Sequence, residues 1–371
     1  MYFIYTLRSY HHILLKSICL VLLFLSINHK GFAQSTLNDV GFNGQFFISY
    51  EYDRTQDVNS NEFSIKRGYI TFRKQLKDRL EVRFTQDVTI DQQGDGAGDI
   101  ELRLKYALAN YSFNDVGPFT SINVEAGVVH RPWIDFEQDI NDYRAQNSMM
   151  LDQTNIISSA DFGLQFSAGI GEELDKASRR GLNSNPARYG SIAVGIYNGG
   201  GYSNLEQNSN KVIEGRLTLR PFPDQLAGLQ FSLFGAHGKG NLSESPDFSM
   251  AGTALSFESA RLNVMLQGAQ SLGDSDGNFI IPETNEPYKL RGWSFFSEAD
   301  PFGSPIHFTF RYDNLYNRDL NQIAHRQWIG GIAYVMENRS KIIFDVSRQE
   351  NEFLNESTEF TRFEVVAEIR F

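Results

Sequence analysis

The chain has 371 residues, of which 41% are hydrophobic and 13% aromatic, and its 34 basic and 45 acidic residues give a formal net charge of −11. This acidic balance argues against nucleic-acid binding, because phosphate recognition requires a basic surface. The single cysteine excludes a fold held together by disulfide bonds within the chain.

Residues 1–33 have the features of a secretory signal peptide. Arg8 and Lys16 precede the apolar run 17–27, and small residues suited to a cleavage site end at Ala33. The run is shorter than the roughly 20 residues that a transmembrane helix needs. We therefore expect cleavage after Ala33 and export of the remaining chain.

The exported region, residues 34–371, is predicted to be an all-β domain. Its candidate strands are roughly 10 to 14 residues long, which suits a tilted strand that crosses a bilayer. Strands of soluble sheets average only about 5 to 6 residues. Sixteen are predicted, at 42–52, 63–76, 79–90, 100–113, 119–130, 159–170, 188–198, 211–221, 228–237, 248–257, 261–271, 289–299, 305–314, 323–336, 340–349 and 359–371.

Hydrophobic and charged residues alternate along these strands. In strand 79–90, Leu80, Val82 and Phe84 alternate with Glu81 and Arg83. The apolar face predicted for strand 100–113 consists of Ile100, Leu102, Leu104, Tyr106 and Leu108. Charges on the inner face of a dry sandwich would be costly, but they are tolerated beside a watery lumen. The pattern therefore predicts a 16-stranded antiparallel transmembrane barrel with its apolar side toward lipid.

The last strand supports closure of the barrel. Alternation in segment 359–371 includes Phe363 and ends at Phe371. Pairing this strand with the first one would remove an exposed sheet edge. A closing strand that ends in Phe also resembles the C-terminal assembly signal of bacterial outer-membrane barrels. That resemblance implies barrel assembly machinery and outer-membrane lipid as partners.

The predicted connections alternate between long and short, as in barrels with external loops and tight periplasmic turns. The longest of all is 131–158, on the side of the long loops. Connection 171–187 lies on the side of the short turns, and its length does not fit that pattern.

Four segments resemble the porin O/P family, the phosphate-selective or polyphosphate porins, in the form found in Bacteroidetes. They are FSIKRGYITFRKQLKDRLEVRFTQD at 63–87, GIYNGGG at 195–201, GRLTLRPF at 215–222 and FRYDNL at 310–315. No single segment is specific, but their order spans nearly the whole exported chain. The resemblance implies a sixteen-stranded barrel in the outer membrane of a Gram-negative bacterium, with a lumenal ladder of Arg and Lys that conducts anions.

The residues whose positions match such a ladder lie on the second to fourth strands, together with neighbouring acids. The basic candidates are Lys66, Arg67, Arg73, Arg83, Arg103 and Lys105, and the acidic candidates are Glu81, Asp87 and Glu101. Adjacent positive side chains would raise the local anion concentration. Alternatively, each base pairs with an acid across the strands and only stiffens the wall.

Loop 131–158 carries a second set of candidates. If it folds into the barrel, its acids face its bases across a constriction formed by Arg131, Asp135, Glu137, Asp139, Asp142 and Arg144. The alternative places the loop on the external rim. We read Trp133 as an aromatic residue at the membrane interface.

The sequence predicts a passive channel for small hydrophilic solutes or ions, with anions such as phosphate among the candidates. We expect no metal, because the histidines lack paired ligand spacing. A passive channel also implies no catalytic residues and no cofactor. A homotrimer is a further expectation. The alternative function is a surface adhesin or scaffold whose lumen is plugged by loop 131–158.

Overall fold

The computed structural model describes residues 40–55, 58–91, 98–353 and 356–371. The expected signal peptide at 1–33 lies outside the described residues. Within the described ranges, no helix is both long enough and apolar enough to span a membrane.

The described chain forms sixteen strands, which confirms the predicted number and antiparallel arrangement. The strands are β1 (Val40–Arg54), β2 (Asn59–Lys77), β3 (Leu80–Ile90), β4 (Ile100–Ser112), β5 (Phe119–His130), β6 (Ala160–Ile170), β7 (Gly190–Tyr197), β8 (Val212–Leu219), β9 (Leu229–Lys239), β10 (Asp247–Glu258), β11 (Leu262–Leu272), β12 (Lys289–Ala299), β13 (Ile306–Asn317), β14 (Gln322–Val335), β15 (Lys341–Phe353) and β16 (Glu356–Arg370).

Each strand pairs with its neighbours in sequence, and β16 returns to pair with β1, so the barrel is closed. In this seam Phe46 lies opposite Ile369, and the Gly44 N–H donates to the Phe371 carbonyl oxygen at 2.8 Å. The Phe371 ring lies over Gly44, where any Cβ would clash with it. Glycine at this position therefore makes room for the closing aromatic residue.

Alternate side chains produce an apolar outer face. Phe84 is 44% exposed, and Leu164 and Phe344 are each 51% exposed. The residues that alternate with them, such as Thr85 and Asp345, are buried inside the barrel. This period of two is what a strand requires when one side meets apolar surroundings and the other lines a polar interior.

The predicted apolar face of the fourth strand is wrong in its second half. Leu102 is exposed, whereas Tyr106 and Leu108 are buried inside the barrel. The register of β3 against β4 shifts so that Lys105 is passed over. This β-bulge moves every later side chain of β4 to the other face.

The long connection 171–187 has a structural explanation. It contains a 3-10 turn at Ser178–Arg180, and Leu174, Ala177 and Leu182 pack on Ala227. The backbone N–H groups of residues 183 and 184 donate to the carboxylate that ends β10, at 3.0 and 3.1 Å. The segment is thus a packed cap beneath β8 to β10, where a tight turn was expected.

Two short helices lie in loop 131–158. They are α1 (Pro132–Ile140) and α2 (Met150–Gln153). Proline at the first position suits α1, because that residue needs no hydrogen bond to its missing N–H. Helix α1 buries one side and leaves Asp139 on its other side exposed. This amphipathic pattern determines the orientation of the loop.

Candidate pore constriction

Residues 131–158, called the inserted loop below, lie inside the barrel. The Trp133 Nε1–H donates to Gln267 on β11 at 3.0 Å, and the Asn147 side-chain amide donates to Gln327 on β14 at 3.3 Å. Of the two positions considered for this loop, the structure therefore has the internal one. Trp133 is completely buried, so its interpretation as a membrane-interface aromatic was wrong.

The inserted loop packs against one half of the lumen, the inward faces of β8 to β13, which we call the apolar half. Trp133 stacks on Phe234 with 3.8 Å between ring centroids. The buried cluster also contains Ile134, Phe136, Ile140, Met150 and Leu151 of the loop and Phe248, Met250, Ala254, Met265, Ala269, Leu290 and Leu315 of the strands. Burial of this apolar surface holds the loop in the barrel.

A buried ionic cluster fixes the start of the inserted loop. Arg131 Nε lies 2.7 Å from a Glu214 carboxylate oxygen, and its guanidinium lies 3.8 Å from Asp161, with all three side chains fully buried. The Trp133 backbone N–H donates to the same Glu214 carboxylate at 3.1 Å. Because removing one partner of a buried ion pair is strongly destabilising, this cluster determines where the loop enters the barrel.

Asp142 ties the inserted loop to the opposite side of the barrel. Its carboxylate lies 3.1 Å from Lys341 Nζ on β15 and 2.6 Å from Arg370 on β16. Burial alone would raise the pKa of Asp142, but Lys341 and Arg370 outweigh it and lower the pKa. Asp142 is therefore an ionised anchor of the loop.

Glu137 does not face the pore, contrary to its prediction as a constriction acid. It lies four residues after Trp133 on the buried side of α1, which follows from the helical period. Gln267 donates a hydrogen bond to its Oε1, and its buried Oε2 has no hydrogen-bond partner among the described residues. Burial raises the pKa of Glu137 to about 8, so the side chain is mainly protonated at neutral pH.

Asp135 and Asp139 lie on the other side of α1. The Asp135 side chain is 47% exposed, and both residues line a cavity of about 240 Å³ between the inserted loop and β1 to β5. The amphipathic helix thus directs two of the predicted constriction acids into open space and keeps Glu137 in the dry part.

The facing wall carries four cations on β2 to β4, namely Arg67, Arg83, Arg103 and Lys105, which we call the basic wall. Two of these residues share one acid: Arg103 lies 3.0 Å and Arg67 lies 3.4 Å from the carboxylate of Asp87, which is fully buried. Arg103 also lies 3.6 Å from the half-exposed carboxylate of Glu101. The two guanidinium groups therefore share one buried carboxylate and one exposed carboxylate.

Lys105 and Arg144 form the next step of the wall. Lys105 Nζ lies 3.4 Å and Arg144 lies 2.5 Å from the hydroxyl oxygen of Tyr69. Lys105 is buried, and within the described ranges no carboxylate makes an ion pair with either residue. The two cations therefore lie side by side on the cavity that Asp135 and Asp139 also line.

Arg83 completes the basic wall on the same cavity as Lys105 and Arg144. One guanidinium nitrogen lies 2.9 Å from His130 Nε2, and the guanidinium carbon lies 4.3 Å from the centre of the Tyr106 ring. His130 also lies 2.7 Å from Glu125.

Among the residues that the structure describes, no three acidic, histidine or cysteine side chains are grouped to hold a metal ion.

A second cavity of about 650 Å³ lies beside the outer part of the wall, on the side of the long loops. Its lining includes three basic residues, Lys66, Arg67 and Arg103, and three acidic residues, Asp91, Glu101 and Asp276, together with Asn155 of the inserted loop. The basic wall therefore follows one side of the lumen from this outer cavity to the inner 240 Å³ cavity.

The remaining predicted residues have other positions. Lys66 pairs with Glu364 of β16 at 2.7 Å, and Arg103 pairs with Asp87 of β3, as the alternative of cross-strand pairing expects. The 3.6 Å pair of Arg103 with Glu101 lies within β4. Arg73 lies opposite Arg83 in the register of β2 and β3, and is exposed. The other three are Glu81, near the short-turn end of β3, and Phe363 and Phe371, exposed on the outer face.

Sequence reasoning missed the aromatic residues of the site. Tyr69 and Tyr106 reach the lumen from β2 and β4, and Tyr202 reaches it from the loop that follows β7. The position of Tyr69 two residues after Arg67 on one strand was an available signal, since such residues share a face. No local signal placed Tyr106 or Tyr202.

The fold is that of solved outer-membrane porins, whereas the chain matches no protein-family model and no curated protein. It is similar to Salmonella typhi OmpF in complex with daunomycin, with a TM-score of 0.61, 11% identity and coverage of 90% of this chain and 99% of that chain. It is also similar to the anion-selective porin from Comamonas acidovorans, with a TM-score of 0.60, 11% identity and the same coverages. The outer membrane channel DcaP of Acinetobacter baumannii gives a TM-score of 0.55, 11% identity, and coverage of 90% and 97%.

Proposed function

We propose that the protein is a passive channel of the bacterial outer membrane that favours small anions. The single observation that carries this proposal is the group of Lys105, Arg144 and Arg83 around one cavity. Asp135 and Asp139 line the same cavity, but among the described residues no carboxylate is in ion-pair contact with these three cations. The apolar outer face supports a location in lipid. The fold shared with porins agrees with passage through the barrel.

The basic wall supplies a series of weak anion sites. An anion that enters the outer cavity meets Arg67 and Arg103 first, then Lys105 and Arg144, and then Arg83. Several weak sites in series raise the local anion concentration without trapping the ion, which is what conduction requires. No bond is made or broken, so the proposed transport needs no catalytic residue.

Phosphate is one candidate solute. The Lys105 ammonium and the Arg144 guanidinium converge on one point, the hydroxyl of Tyr69. Two adjacent cations suit an oxyanion with several acceptor oxygens better than they suit chloride. We therefore expect inorganic phosphate to compete with chloride and reduce the chloride current.

A homotrimer remains an expectation from the sequence.

The proposal is tested by removing two charges from the basic wall with Arg83→Gln and Lys105→Gln. In a planar bilayer under a KCl gradient, the ratio of chloride to potassium permeability should fall about threefold, the effect of roughly one kT of lost potential. The matched control is Lys289→Gln with Arg291→Gln, which makes the same charge change at two exposed positions of β12. An equal reversal potential in all three proteins would exclude an anion-selective wall.

A plugged barrel that serves as a surface adhesin or scaffold is the second candidate. It is favoured by the observation that the inserted loop fills the apolar half of the lumen. Purified wild-type protein decides between the two, since a folded barrel without measurable conductance supports the scaffold and contradicts the channel.

A further inference from the structure

The loop between β7 and β8 places the side chain of Tyr202 in the lumen, so it is a second loop, besides the inserted loop, that contributes to the interior. Tyr202 of this loop donates a hydrogen bond from its hydroxyl to Asp87 at 3.0 Å. Its ring centre lies 5.9 Å from the Arg103 guanidinium carbon and 5.8 Å from Lys105 Nζ. Tyr202 thus contacts the basic wall at the step between its outer and inner parts.

The local fold explains why this loop reaches the wall. β4 pairs with β5 only from Ala107 to Ser112, so the part of β4 that carries Arg103 and Lys105 has no β5 partner in the ladder. β7 and β8 have eight residues each and are among the shortest strands described. The loop that joins them lies against the unpaired part of β4.

The base of this loop is closely packed. Gly201 has a φ of +75°, and a Cβ at this position would lie 2.8 Å from the Ser158 hydroxyl of the inserted loop. The Gly199 backbone N–H donates to Asp161 at 2.9 Å. Both contacts fix the position from which the Tyr202 side chain enters the barrel.

Tyr202 lies close to one cation of each cavity. Its next neighbour, Ser203, lines the outer cavity together with Arg103, whereas Lys105 lines the inner one. The Tyr202 ring centre lies 5.9 Å from the Arg103 guanidinium carbon and 5.8 Å from Lys105 Nζ. Burial raises the pKa of Tyr202, which keeps its hydroxyl protonated as a donor to Asp87.

We propose that Tyr202 separates the outer and inner basic cavities and sets the largest anion that passes between them. This inference rests on the proposed channel function. The ring is the size barrier, and its hydrogen bond to Asp87 holds the ring against the wall. Tyr202 is therefore a specificity-determining residue contributed by a loop other than the inserted loop.

The test compares single-channel conductance and the gluconate-to-chloride permeability ratio in wild type, Tyr202→Ala, Tyr202→Phe and the loop control Ser203→Ala. Tyr202→Ala should raise both quantities severalfold, because the barrier is removed. Tyr202→Phe keeps the ring and should keep the wild-type ratio, with more frequent current fluctuations because the hydrogen bond is lost. Ser203→Ala should match wild type.

Every result bears on the inference. Equal conductance and equal ratios in Tyr202→Ala and wild type would overturn it while leaving the channel function intact. A folded wild type without conductance overturns the channel function and, with it, the inference that Tyr202 limits the size of the anions that pass. Heat-modifiable mobility in detergent gels checks that each barrel has folded.

A second variant covers the case in which Tyr202→Ala does not fold. Tyr202→Cys is made in a chain whose single cysteine, Cys19, is replaced by Ser. Attachment of a bulky methanethiosulfonate reagent should block most of the current, whereas an unchanged current after complete modification contradicts the inference.

Discussion

The apolar half and the basic wall of the lumen lie on different strands with the same alternation of side chains, but their inward side chains have different roles. In the apolar half, inward residues such as Phe234 and Met265 bury the inserted loop. On the basic wall, inward residues such as Arg83 and Lys105 border open cavities. One side therefore holds a plug in place, and the other side leaves a polar passage beside it.

The number of strands alone therefore does not determine the width of the open passage in such a barrel. Helix α1 contacts both regions, with Trp133 in the dry part and Asp135 and Asp139 on the cavity. The width of the passage therefore depends on how firmly the apolar half holds α1. Its selectivity depends on the basic wall.

The largest effect is expected from Trp133→Ala, which removes the central contact of the apolar half. Loss of a buried aromatic side chain costs about 3 to 5 kcal/mol, so the inserted loop should loosen and the conductance should rise. Bilayer recordings and limited proteolysis of the loop measure this. Trp293→Ala on the outer face, where Trp293 is 45% exposed, is the matched control. A protease-resistant loop with wild-type conductance would refute the assigned role of the apolar half.

A smaller effect is expected from pH through Glu137. Its pKa is about 8 in the folded protein against an ordinary 4.5, so the folded state binds more protons than the unfolded state between these values. The stability of the docked loop therefore falls as pH rises from about 4.5 to about 8 and is level above that, with a slope of at most about 1.4 kcal/mol per pH unit. The change is measured by hydrogen exchange of residues 131–158 at pH 6 and pH 9, with each rate divided into the intrinsic rate at the same pH to give a protection factor.

Glu137→Gln is the control for that pH dependence. The amide cannot ionise, so the difference in protection factor between the two pH values should disappear. If the variant keeps the wild-type dependence, another group controls the docking of the loop.

The smallest effect is expected from Glu101→Gln at the edge of the basic wall. The Glu101 side chain is 44% exposed and 3.6 Å from Arg103, and exposed ion pairs contribute only about 0 to 1 kcal/mol. Thermal unfolding should therefore stay close to wild type. The contrasting variant is Asp87→Asn, which weakens the fully buried partner of Arg67 and Arg103 and should destabilise clearly more. Equal destabilisation by the two variants would contradict the distinction between them.

The strands of the barrel were predictable because alternation is a local property of each segment. The bulge at Lys105 was not, since Leu104, Tyr106 and Leu108 continue to alternate in the sequence while the chain skips a residue. The inward position of Tyr106 consequently required the register of β3 against β4. The sequence was sufficient to assign Glu101, Arg103 and Lys105 to one strand, but it did not predict which side chains they contact.

The position of the inserted loop was not predictable from its own residues. The surface that buries Trp133 comes from strands such as β9 and β11, about 100 residues or more further along the chain. A signal was nevertheless present, because β9 has aromatic residues on both faces, with Phe231 outside and Phe234 inside. Inward aromatic residues in a barrel strand indicate that something apolar must cover them.

The seam between β1 and β16 has a consequence for how the protein matures. Gly44 and Phe371 stand at opposite ends of the chain yet form hydrogen bonds with each other, and the Phe371 ring lies 6.0 Å from Phe42 and 6.2 Å from Phe46. Contacts of such large sequence separation form slowly, because loop-closure entropy must be overcome first. The edges of β1 and β16 therefore stay unpaired until both strands have been made, and the newly made polypeptide needs protection from aggregation during that time.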